Sequence, residues 1–109
     1  MSEVNNCVEE ISKNSFESKI GKNVAVVDFF AEWCMPCLMM SPVIEELAEK
    51  FKGKISFCKV NIDDNSELAE KYHVLSIPCL IVFSKGKEVD RIVGAMPANV
   101  LEDKLKKYI

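Results

Sequence analysis

The chain has little of what several protein classes require. One histidine (His73), one tryptophan (Trp33) and four glycines in 109 residues leave no histidine cluster for a catalytic or metal site and no glycine-rich phosphate loop. Apolar runs are broken by Asp28, Glu32 or Pro78 well short of a bilayer span, so no membrane partner is expected. The first residues, MSEVNNCVEE, carry neither a basic leader nor an apolar core, which argues against export. Basic residues are few, 14 against 17 acidic for a net charge of −3, and they are scattered, so a nucleic-acid partner is not expected either. A disulfide framework is also missing. The five cysteines (7, 34, 37, 58 and 79) are odd in number and only one pair has motif spacing, which points to a reducing, cytoplasmic compartment.

What is present is one domain's worth of chain. Its 49% hydrophobic and 28% charged residues suit a globular fold, and a single domain over residues 1–109 is expected. Its organising stretch is Trp33-Cys34-Met35-Pro36-Cys37. Upstream, Val24 to Phe30 is an apolar, β-branched and aromatic run that reads as a buried strand. Downstream, Leu38, Val43, Ile44, Leu47, Ala48 and Phe51 recur at helical spacing between charged residues, and Gly53 closes the pattern. The two thiols therefore fall at a helix N-terminus, where free N–H groups and the helix dipole favour a thiolate. Cys34, the outer of the two, is the candidate nucleophile.

The remaining elements follow the same signals. Val8 to Ile11 suggests a first strand, and Asn14 with Glu17 a cap for a short helix ending near Gly21. Ile55 to Ile62 reads as a buried strand, Asp63 to Ser66 as the opening of a helix through Tyr72, and Leu75 to Phe83 as a strand with Pro78 near its start. A Ser84 to Lys87 turn leads to a strand over Val89 to Val93. Pro97 then opens a helix with Val100, Leu101, Leu105 and Tyr108 on one face. The order β-α-β-α-β-α-β-β-α implies an α/β fold, a mixed sheet of about five strands flanked by about four helices.

Two residues sit oddly inside apolar strands. Asp28 lies between Val27 and Phe29, where an unpaired carboxylate costs several kcal/mol or stays protonated, so a task is expected of it. Lys59 either snorkels to the rim or pairs with Asp28. Pro42 is expected only to kink its helix, Met35, Met39 and Met40 to fill space, and Cys58 and Cys79 to act as small core residues. A CxxC pair beside a βαβ pattern marks a redox site. The other reading is a metal or iron–sulfur scaffold using Cys34, Cys37 and Cys79, which lacks a second CxxC or matching histidines.

The motifs VDFFAEWCMPC (27–37), KVNID (59–63), SIPCLIVF (76–83) and VGA (93–95), with Pro42, resemble the thioredoxin family over about Val8 to Tyr108. The resemblance implies a thioredoxin fold and a general protein disulfide reductant without cofactor or metal. It implies that Cys34 attacks a substrate disulfide, Cys37 resolves the mixed disulfide, and Asp28 and Lys59 manage protons beneath the pair. Pro78 would be cis, and Trp33, Met35, Pro36, Ile77, Pro78, Gly94 and Ala95 would line the substrate groove. Disulfide-containing proteins and an upstream reductase such as a thioredoxin reductase are the implied partners of an expected monomer. The chain departs from the family pattern in four places. Met35-Pro36 replaces the usual Gly-Pro, Phe30 a common tryptophan, Leu38 a frequent lysine and Cys79 a threonine.

Overall fold

The computed structural model describes residues 8–21 and 23–109. Expectations for Met1 to Cys7, the lack of a leader and the role of Cys7 among them, lie outside the described residues. Strand β1 (Val8–Glu10) is followed by α1 (Lys13–Ile20), β2 (Val24–Phe30), α2 (Met35–Lys50) and β3 (Ser56–Asn61). Then come α3 (Ser66–Lys71), β4 (Cys79–Ser84), β5 (Lys87–Val93) and α4 (Ala98–Lys106). The strands form one mixed sheet in the order β1-β3-β2-β4-β5, with β3 parallel and β4 antiparallel to the central β2. The expected α/β class and element order are those observed.

Alternation along the strands gives each face its own core. On one side Val26, Phe57, Leu80 and Val82 meet Met40, Ile44, Leu47, Ala48 and Phe51 at α2, and Leu101 and Leu105 of α4. On the other, Val27, Phe29, Val60 and Ile81 meet Phe16 and Ile20 of α1 and Leu68 of α3. Phe16 anchors that side, its ring 5.4 Å from Tyr72 and 5.7 Å, edge-on, from Phe83. Burial of this kind stabilises by about 1.5–3 kcal/mol per large side chain, which fixes β2 between two packed layers. Its C-terminal end is thereby held rigid.

Several local expectations need correction. Helix α1 is capped by Ser12 rather than Asn14, and Ser15, not Glu17, closes the turn by accepting from the Ser12 N–H at 3.4 Å. Serine is as good a cap as asparagine, and here the earlier site wins because the chain turns straight out of β1. Strand β4 begins at Cys79, not Leu75, since Pro78 has no N–H for a ladder and Leu75 is 93% exposed. Pro97 opens α4 as its N-cap, just ahead of the first turn, and Val100, expected on the buried face, faces outward. The hairpin turn needs two left-handed residues, which Lys85 (φ 52°) and Gly86 (φ 87°) supply, a geometry that matches the twist of paired strands.

Candidate active site

The site forms where β2 ends and α2 begins. Buried Ala31 accepts from the Cys34 N–H at 3.2 Å, tightening the turn, and Cys34 is the N-cap of α2 in an extended conformation. Cys34 and Cys37 are joined as a disulfide, with Cα atoms 5.2 Å apart, the span of one helical turn and well within reach of a bridge. The Cys37 backbone N–H donates to Cys34 Sγ at 3.2 Å. A sulfur thus occupies the position that a serine or aspartate oxygen takes at an ordinary cap.

Neighbouring Pro36 has no N–H, so the helix offers Cys37's own amide to the sulfur. Once the pair is reduced, the helix dipole favours a thiolate at this cap by about 0.3–1 kcal/mol, and a directed backbone donor favours it further. Burial does not separate the two residues in this state: Cys34 is 5% and Cys37 4% exposed. Position separates them, because only Cys34 stands at the cap.

Asp28 and Lys59 sit side by side on β2 and β3, directly in register, and share with Val26 the sheet face that α2 covers. Asp28 is buried, and its Oδ1 has no hydrogen-bond partner among the described residues. Burial pushes its carboxyl up to about 7 from an ordinary 3.8, while the field of Lys59 pulls the other way. No ion pair joins them. Lys59 Nζ lies 5.4 Å from the centre of the Phe30 ring, so the ammonium combines snorkelling with a cation–π contact.

A rim of side chains surrounds the disulfide. The Ile77–Pro78 peptide is cis, and Ile77 packs against Ala31, Cys34 and Cys37. Gly94 donates its N–H to the Pro78 carbonyl at 2.9 Å, which brings the end of β5, with Gly94 and exposed Ala95, against that loop. Trp33 is exposed and held by its indole N–H, which donates to Asp63 Oδ2 at 2.8 Å. Met35 and Pro36 are exposed as well. Ile77 therefore touches the disulfide directly, and Gly94 is tied to the loop that carries it.

The methionines correct another expectation. Met40 fills space in the core, but Met35 and Met39 face outward, as does Leu38. Cys58 and Cys79 are buried among apolar neighbours, and burial pushes the Cys58 thiol up to about 12 and raises that of Cys79. Neither is a reactive thiolate. Cys34 and Cys37 are bonded to each other, and among the described residues no three histidine, cysteine or acidic side chains could hold a metal ion, so the scaffold reading is not favoured.

Sequence reasoning missed the polar frame behind the rim. Asn65 accepts from the Lys13 N–H at 3.1 Å and donates to the Asn61 carbonyl at 3.0 Å, tying α1 to the β3–α3 connection. Asn61 in turn accepts from the Asp63 N–H at 2.9 Å, which sets the residue that holds Trp33. Arg91 donates to the carbonyls of Tyr72 at 2.6 Å and His73 at 3.1 Å, closing the end of α3. The available signals were a polar residue at the end of β3 (Asn61) and a cap-type residue before α3 (Asn65).

A redox-active disulfide at a helix N-terminus, facing a cis-proline loop on an α/β sheet, defines a thiol–disulfide oxidoreductase. The family described as Thioredoxin matches residues 7–107. A thioredoxin of Staphylococcus epidermidis is 44% identical over 102 residues, 94% of this chain and 98% of its own length. One from Staphylococcus aureus is 43% identical over the same shares. A solved Plasmodium falciparum thioredoxin superposes with a TM-score of 0.87 at 38% identity, covering 94% of this chain and 100% of that one. The chain belongs to the thioredoxin family.

Proposed function

We propose that the protein is a general disulfide reductant, a single thioredoxin-like domain over residues 1–109 that works as a monomer in a reducing cytoplasm. Disulfide-containing proteins are its substrates, and a dithiol-delivering reductase of the thioredoxin-reductase kind restores it. The observation that carries this is the Cys37 N–H donating to Cys34 Sγ at the cap of α2, because it stabilises a thiolate at one position of the pair only. The Cys34 thiolate attacks a substrate sulfur, breaking the S–S bond and releasing one substrate thiolate, which takes up a proton. Cys37 then loses its proton and attacks Cys34, expelling the second substrate thiol and forming the Cys34–Cys37 bond. Two electrons pass to the substrate.

The second step needs a base beneath the pair. Asp28 suits it because a carboxyl with a pKa near 7 accepts a proton without remaining fully charged at neutral pH. Lys59, next to it in register, supports the charged form. Trp33, Met35, Pro36, Ile77, Pro78, Gly94 and Ala95 receive the substrate chain. No cofactor enters these steps, and among the described residues no helix is long and apolar enough to cross a membrane.

The experiment is a pair of variants. Cys34→Ser is expected to abolish turnover of a protein disulfide. Cys37→Ser is expected to retain the first step and accumulate a covalent mixed disulfide, visible as a mass increase that dithiothreitol reverses. Normal turnover by Cys37→Ser would overturn the assignment of the resolving thiol.

A further inference from the structure

Helix α2 carries more apolar surface than the core uses. Met40, Ile44, Leu47, Ala48 and Phe51 complete the buried face, yet Met35, Leu38 and Met39, spaced i, i+3 and i+4, form a second apolar stripe that faces outward. Met35 is 64% and Met39 69% exposed, whereas Met40 is 2% exposed. The stripe begins between the two cysteines and adjoins exposed Trp33. Among the described residues, Met35 and Met39 are the two exposed sulfur-bearing side chains. Cys34 is consumed in the disulfide, and Cys58 and Cys79 are buried.

We infer that Met35 and Met39 are a modification site for hydroperoxides, at which oxidation to sulfoxide weakens substrate docking beside the redox pair. The thioether sulfur attacks the outer oxygen of the hydroperoxide and the O–O bond breaks. Sulfur is oxidised by two electrons to the sulfoxide, and the peroxide is reduced to an alcohol or water, its proton ending on the leaving oxygen. The step is favoured in the disulfide state, because the faster-reacting Cys34 thiolate is then absent. Sulfoxidation converts a flexible apolar side chain into a polar one, and at this stripe it removes apolar area offered to an incoming chain.

The effect on docking rests on the proposed substrate groove, but the selectivity does not. The oxidised protein is treated with hydrogen peroxide and its methionines are mapped by peptide mass. Sulfoxide is expected at Met35 and Met39 well before Met40, and oxidation of Met40 at a comparable rate would overturn the site. The treated protein is then assayed with a protein disulfide, where KM is expected to rise about tenfold while kcat holds. The variant Met35→Leu/Met39→Leu, compared with itself before and after peroxide, is expected to show no such rise. An unchanged KM in the sulfoxidised protein, or an equal rise in the double variant, would overturn the docking effect. Selective mapping with an unchanged KM would locate the fault in the groove, not in the modification.

Discussion

Asp28 shows how one buried side chain couples function to stability. Its carboxyl is pushed up to about 7 from 3.8, so between those values the folded protein holds a proton that the unfolded chain has released. The contribution of Asp28 to stability therefore falls as pH rises through this window and levels off above about 7, a loss of about 4 kcal/mol from this group. Asp28→Asn does not titrate. Its stability relative to the parent is expected to improve by about 4 kcal/mol between pH 4 and pH 8, measured by urea unfolding at both. A difference independent of pH would mean that Asp28 ionises normally. The same substitution is expected to slow resolution of the mixed disulfide more than its formation, since only resolution takes a proton from Cys37. Asp28 and both active-site cysteines could be singled out from sequence because each breaks a local pattern: a charge in an apolar strand, thiols at a helix start. The bond from the Lys13 N–H to Asn65 could not, because it joins residues far apart in the chain and is set by the tertiary fold.

At the scale of elements, apolar spacing located the helices and strands but did not say which apolar residues face inward. Leu38 and Met39 continue the α2 pattern in composition and lie off its buried face, which runs through Met40, Ile44 and Leu47. Hydrophobicity reports preference for burial, and a docking surface satisfies that preference only when a partner is present. The start of β4 was overextended for a related reason. Leu75, Ile77 and Leu80 look alike in sequence, but Pro78 cannot join the ladder. Arg91 ties β5 to the turn that follows α3, bonding to the carbonyls of Tyr72 and His73 and, at 2.9 Å, to Glu88 of its own strand. Arg91→Gln is expected to cost about 1–3 kcal/mol and to speed hydrogen exchange over residues 72–77, the segment leading to the cis-proline loop. Unchanged exchange there would show that the loop is held by its own contacts.

At the scale of the molecule, the central β2 determines where the chemistry happens. Its two faces are buried in separate cores and its neighbours run in opposite directions, so its C-terminal end presents the α2 cap at the end of the sheet, near the Ile77–Pro78 loop to which Gly94 is bonded. The order of elements in the sequence was enough to imply a mixed sheet of about five strands but not the strand order that puts β2 at its centre, since parallel pairs need helical crossovers and the last two strands are joined by a short turn. The direction of electron flow depends on how strongly the cap supports the Cys34 thiolate. Pro36 removes one donor from the cap and Met35 adds no charge, which leaves the Cys37 N–H as the directed support for the thiolate at Cys34. A modestly stabilised thiolate makes a reductant, whereas a strongly stabilised one makes an oxidant. The most direct measurement is the equilibrium potential of the Cys34–Cys37 couple against glutathione. The expected result lies near about −270 mV, the value typical of thioredoxins themselves, and a value near about −120 mV would contradict the account.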